Sequence, residues 1–189
     1  MSVDSPSTVV TPEQLLQLPD GNRYELVDGQ LVERTMSMES AWVANRVGKV
    51  LSTYVDNTGE GDVFNSDASY QCFGEEADRV RRPDVSFIRQ GRLSAEQFRE
   101  GHCRIFPDLV VEVASPNDLY YDVQHKVQEY LTAGVTMVWV VDPPVRSVMV
   151  YRRGGPVERL EENDQLSGDP VLPGFAVRVG DLFPKAGAV

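Results

Sequence analysis

The chain is poor in cysteine and histidine, with two of each in 189 residues. Cys72 and Cys103 stand far apart in no metal-like spacing, so neither a disulfide framework nor a thiolate zinc site is expected, and two reduced thiols are. No apolar run approaches the roughly 20 residues of a transmembrane helix. The opening MSVDSPSTVV has no basic start followed by an apolar core, the pattern of a secretory signal, and a cytoplasmic protein is the expectation. The chain has no G-x-x-x-x-G-K-S/T loop, no G-x-G-x-x-G turn and no H-E-x-x-H pair. No G-x-S-x-G elbow accompanies His125, and His102-Cys103 lacks partner ligands and reads as a loop. Positive charge is scarce as well. Lys and Arg number 18 against 29 Asp and Glu, a net charge of −11, which argues against tight non-specific binding to a polyanion.

What is present is ordinary for a soluble globular fold: 41% hydrophobic and 25% charged residues. The length suits one domain, expected over residues 11–189 after a loose tail at 1–10. The charge is uneven. From Arg79 to Arg104 there are seven arginines (79, 81, 82, 89, 92, 99 and 104) against Asp84, Glu96 and Glu100, a local net of +4 that leaves −15 elsewhere. By count alone this is a solvated surface; it gains meaning only beside a chemical site.

Thr11-Pro12 caps a short helix over 13–18, and "YELVDGQLVER" reads as a hairpin around Asp28-Gly29. Val43, Val47, Val50, Leu51 and Tyr54 fall at helical spacing over 40–54. Strand-like runs follow near 62–73 and 80–89, separated by residues 74–78, with a short polar helix near 94–101. A strand at 108–114, a helix from about 115 to Ala133 closed by Gly134, and the unbroken apolar "VTMVWVVD" form a strand–helix–strand unit with parallel strands. Short strands at 146–152 and 157–161 and a C-terminal "GFAVRVGDLF" complete the chain.

Two acids interrupt these strands. Alternation sends Leu109, Val111 and Val113 to one face and Val110, Glu112 and Ala114 to the other; it likewise separates Val85 and Phe87 from Asp84 and Ser86. A buried carboxylate costs several kcal/mol unless paired, protonated or bound to a cation. One such acid reads as a structural group or an edge residue. Two on neighbouring strands suit a hard cation with oxygen ligands. Lys126 lies about 60° around its helix from the apolar Val123, at the border of the buried face. It is either a snorkelling lysine or a group that positions a nucleophile. A glycosidase also uses a carboxylate pair, but the added lysine fits phosphate chemistry better.

"RYELVDGQLVE", "RRPDVSFI", "PDLVVEVASPND", "KVQEYLTAGVTMVWVVDP" and "LPGFAVRVGDLF" together resemble the bacterial Uma2 family, within the restriction-endonuclease-like PD-(D/E)XK superfamily, from about Leu15 to Phe183. The resemblance implies an α/β fold, with a restriction-endonuclease-like central mixed sheet flanked by helices, an N-terminal hairpin and C-terminal short strands. It matches Pro83-Asp84 to the superfamily's "PD" and Glu112 to its second acid. The lysine usually found two residues later is Ala114 here; the family instead has one fourteen residues on, where Lys126 stands. Glu25 matches an early family acid and either faces the same site or lies on the hairpin surface. Many relatives carry a histidine where this chain has Ser40-Ala41-Trp42.

The function so implied is a metal-dependent endonuclease that hydrolyses DNA phosphodiester bonds. Asp84, Glu112 and the Val113 carbonyl would hold Mg²⁺ (or Mn²⁺), and Lys126 would orient the attacking water. Arg79, Arg81, Arg82 and Arg89 would meet DNA phosphates, weakly or with a partner's help. A homodimer is expected. The alternative is a binding or assembly protein on a nuclease scaffold whose catalysis is weak or lost.

Overall fold

The hairpin turns where a two-residue loop needs two left-handed residues. In the computed structural model, which describes residues 9–74, 78–99, 101–116 and 118–185, Asp28 has φ 50° and Gly29 φ 75°. They join β1 (Tyr24–Val27) to β2 (Gln30–Glu33) in antiparallel register. A side chain at 29 would also strike Val9, whose Cγ1 lies 2.4 Å from the place of a Cβ. The expected loose tail lies outside the described residues except for its last two, of which Val10 donates its N–H to the Gly29 carbonyl at 2.9 Å. Residues 75–77 of the expected spacer also lie outside.

Thr11 caps α1 (Pro12–Gln17) in a reciprocal capping box with Gln14. Leu15 of α1, Leu26 of β1 and Val80 form a small cluster, and Leu26 and Val80 exchange both backbone hydrogen bonds, at 2.9 and 2.8 Å. That bridge fixes the hairpin against the segment leading to Asp84.

Helix α2 (Met38–Thr58) runs one turn beyond the expected Tyr54, because Val55 continues the buried stripe of Val43, Val47 and Leu51. A six-stranded sheet follows the order β3 (Gly61–Asn65), β4 (Val85–Arg89), β5 (Leu109–Val113), β6 (Met137–Asp142), β7 (Ser147–Arg152), β8 (Glu158–Leu160). The β5–β6 pair is parallel and the other pairs are antiparallel. α3 (Tyr120–Ala133) links the parallel pair and ends at Gly134, φ 113°. β9 (Gln165–Ser167) and β10 (Ala176–Arg178) form a separate ribbon.

Each face of the sheet has its own core. Val85, Phe87, Leu109, Val111, Met137, Trp139 and Val141 pack with α2 on one face. Ile88, Val110, Val138 and Val140 pack with Val127 and Tyr130 of α3 on the other. Together these make the mixed sheet flanked by helices that the sequence implied.

Three expectations are corrected. Residues 66–73 and 80–84 are not strands; they make isolated bridges, Tyr70 with Arg81 and Cys103 and Val80 with Leu26, and Pro83 has no N–H to give a ladder. The helix near 94–101 is a single 3₁₀ turn, Gln97–Arg99, with Glu100 outside the described residues. α3 begins at Tyr120 and not near 115, because Asp118 accepts the Ser115 N–H at 2.8 Å and closes a turn first; Asn117 lies outside. No helix among the described residues is long and apolar enough to cross a membrane.

Candidate active site

Antiparallel register brings the two acids together. Val85 pairs with Val111 and Ser86 with Val110, so one further step sets Asp84 opposite Glu112, both on the face that α3 covers. Asp84 Oδ2 accepts the Val113 N–H at 2.7 Å, and Oδ1 accepts from Arg34 Nη2 at 3.2 Å. Glu112 Oε1 accepts the Tyr130 hydroxyl at 2.7 Å. Val113, expected to contribute its carbonyl to the site, thus touches Asp84 through its N–H.

Lys126 reaches this pair from α3. Its Nζ lies 3.1 Å from Glu25 Oε2 and 3.7 Å from Glu112 Oε2. Glu25 is 1% exposed and is not a surface residue of the hairpin. It accepts from Arg81 Nη1 at 2.9 Å and from the Arg82 backbone N–H at 3.0 Å. The structure therefore brings Asp84, Glu112, Lys126 and Glu25 into one polar cluster.

Burial dominates the electrostatics. It pushes the Glu112 carboxyl up to about 7, with Lys126 pulling it down and the Asp84 and Glu25 charges pushing it up. Burial also raises Asp84, against the Val113 N–H and Arg34. Burial opposes the Lys126 charge, but Glu112 and Glu25 outweigh it and hold the ammonium above the ordinary lysine range. For Glu25 the same penalty is outweighed by Lys126 and Arg81, and its carboxyl sits below the usual range. Burial thus disfavours the ionised form of both Asp84 and Glu112, and a divalent cation between them would favour it. Among the described residues no three His, Cys, Asp or Glu side chains form a ready-made metal cage. Two carboxylates with the remaining positions left to water suit Mg²⁺.

The arginines are corrected. Arg79, Arg81 and Arg82 are each 5% exposed and cannot present their guanidinium groups to a polymer in solvent. Arg81 forks onto Glu129 at 2.7 and 2.9 Å while holding Glu25. Arg79 pairs with Asp28 at 2.8 Å and Glu129 at 3.0 Å. Arg82 donates to the carbonyls of Asp67 and Tyr24 at 2.7 and 3.1 Å. Arg89 is exposed but lies at the far end of β4 from Asp84, roughly 16 Å along the strand, and donates to the carbonyls of Pro170 and Val171.

Sequence reasoning missed Arg34, Tyr130 and Glu129. Tyr130 stands one helical turn after Lys126 on the same face, which was a usable signal. Arg34 carried none, and Glu129 only the i, i+4 spacing to His125, because their aspartate and arginine partners lie about fifty residues away along the chain. Ser40, where many relatives have histidine, donates to the Ala114 carbonyl at 2.9 Å, and the Ser37 N–H donates to Ser115 Oγ at 3.2 Å. These bonds tie the start of α2 to the end of β5.

A profile for the Uma2 family, described as "Putative restriction endonuclease", matches residues 12–180. Among solved structures, the chain is similar to a putative nuclease belonging to DUF820 from Anabaena variabilis ATCC 29413. The two share 23% identity with a TM-score of 0.79, over 92% of this chain and 97% of that one. At that identity the likeness establishes the fold alone. No curated protein matches. With most of its length covered by one profile, the chain belongs to the Uma2 family of restriction-endonuclease-like proteins.

Proposed function

We propose that this protein is a divalent-metal-dependent nuclease that hydrolyses DNA phosphodiester bonds at the Asp84–Glu112 pair. The observation that carries the reading is the placement of the Lys126 ammonium beside Glu112, itself set opposite Asp84 on the neighbouring strand. Asp84 and Glu112 would hold Mg²⁺ through carboxylate oxygens. When bound, such a cation supplies an ionisable water and neutralises phosphate charge.

The chain's own groups do the rest. Lys126 stays protonated between Glu25 and Glu112, so its Nζ offers N–H donors to a water or a phosphoryl oxygen where negative charge develops. Glu25 and Tyr130 fix the two partners: Glu25 holds the ammonium, and the Tyr130 hydroxyl holds one Glu112 oxygen, leaving Oε2 toward Lys126. Arg34 and the Val113 N–H fix Asp84 in the same way. Such second contacts narrow the geometry on which rate depends.

Incubation of plasmid and oligonucleotide DNA with the protein in Mg²⁺ or Mn²⁺ tests the reading, with Asp84→Ala as control. Cleavage that needs metal and disappears in Asp84→Ala is expected. DNA retained without any cleavage would replace hydrolysis with binding alone.

A further inference from the structure

With Arg79 and Arg81 buried in ion pairs and Arg82 buried against backbone carbonyls, a polyanionic substrate needs another source of positive charge. A cleft of about 920 Å³ starts at Asp84 and Val85 and runs between α2 and β3. Its helix wall is Ala41, Ala44, Asn45, Gly48, Lys49 and Ser52, and its strand wall includes Asn65 and Ser66. The chain carries 29 acidic residues, yet among the described residues Asp84 is the only acid lining this cleft, and Lys49 is the only lysine or arginine. Lys49 is exposed, and among the described residues it has no ion-pair partner. Arg34 adds a cation where the cleft meets the site, since it bridges Asp84 and the Ser66 carbonyl, the latter at 3.3 Å.

We infer that this cleft is the track on which the DNA backbone approaches Asp84, with Lys49 as its phosphate contact. The inference rests on the nuclease reading above and adds where the substrate lies. Asn45 and Lys49 follow one another at i, i+4, about 6 Å apart along α2, so amide and ammonium donors repeat along one edge. Ala44 and Gly48 keep the wall low between them. At Gly48 an added Cβ would meet only Val85 Cγ2, at 3.9 Å, so a larger side chain there projects into the cleft without disturbing the helix.

Retention and cleavage of a labelled DNA duplex in Mg²⁺ are scored together over a salt series. The proteins are wild type, Lys49→Ala, Gly48→Leu and Arg153→Glu, the last at an exposed position outside the cleft. Lys49→Ala is expected to weaken binding about fivefold at low salt and to reduce the log–log salt slope by about 0.9, one phosphate contact. Gly48→Leu weakens binding by obstruction and leaves that slope unchanged. Arg153→Glu matches wild type in both binding and cleavage. If wild type binds and cleaves while Lys49→Ala and Gly48→Leu bind as tightly with the same slope, the track is wrong and the nuclease reading stands. If wild type neither retains nor cleaves DNA, the nuclease reading falls and the track falls with it.

Discussion

The two faces of the sheet are built from the same strands and solve burial differently. Under α2 the buried face is apolar, with Trp139 stacked at 5.9 Å on Phe175 and Val, Leu, Phe and Met side chains filling the rest. Under α3 the apolar patch around Val110, Val138 and Val127 gives way at one end to Asp84, Glu112, Glu25, Lys126, Arg81 and Glu129. The hydrocarbon face derives stability from area and packing. The polar end stays folded only because each charge has a partner, and such networks add little net stability over well-packed apolar groups. Retaining one where α3 meets β5 fits a role in chemistry more than in holding the fold.

The largest expected effects come from breaking either face at its centre. Trp139→Ala leaves a cavity and is expected to cost about 3–5 kcal/mol. Arg81→Met removes the fork on Glu129 and one partner of Glu25, and uncompensated buried charge costs a similar ~3–5 kcal/mol. Denaturant melts at neutral and acid pH separate the two causes. Acid protonates Glu25, so the Arg81→Met deficit shrinks while that of Trp139→Ala stays. Equal deficits at both pH values would mean that Arg81 acts through packing.

Lys126→Met carries the comparison into catalysis. On the proposed mechanism, removing a charge that would face the transition state is expected to lower single-turnover cleavage about 10²–10³-fold. Glu25 loses one partner but keeps Arg81 and the Arg82 N–H, so the variant should still fold. Cleavage at the wild-type rate by Lys126→Met would remove the lysine from the mechanism.

A smaller effect concerns Glu112 in chelator. Its carboxyl ionises near 4.5 when unfolded and near 7 when folded. Between those values the native state binds more protons, so rising pH destabilises it, by an amount on the order of 1–3 kcal/mol that is complete above pH 7. Glu25 works in the opposite sense: held low in the fold, it stabilises above 4.5 and loses that contribution as pH falls below it. Glu112→Gln should flatten the slope between pH 4.5 and 7 and raise metal-free stability at pH 8. A slope unchanged by Glu112→Gln would assign it to other groups.

The hydrocarbon face was far more legible in the sequence than the polar one. Alternation in β4 and β5 placed Asp84 and Glu112 on one face, and the spacing of Val123, Val127 and Tyr130 placed Lys126 at its border. Those are local rules of period two and 3.6, and the residues obey them. The arginines followed no local rule. Their number announced a basic surface, whereas Arg81 lies between two acids 48 and 56 residues away. Charge is written in the sequence; the partner that buries it is a product of topology. The run at 66–73 failed for a related reason: its composition suits a strand, but it makes only isolated bridges to its neighbours.

The smallest predicted effect tests whether burial, and not contact distance, sets the worth of a charge in this network. Arg79 Nη1 and His125 Nδ1 both lie 3.0 Å from Glu129 Oε1. Their side chains differ in exposure, 6% for Arg79 and 62% for His125. Water screens the histidine and competes for its ring, so this i, i+4 contact should be worth no more than about 0.5 kcal/mol. Glu129 also keeps its fork from Arg81 when His125 is removed. His125→Ala is therefore expected to shift the denaturant midpoint barely beyond error and to leave cleavage unchanged. Arg79→Met should cost several times more, since it withdraws a buried partner from the same oxygen. If the two substitutions cost the same, contact distance governs the network, and the contrast drawn between its buried and exposed ends is wrong.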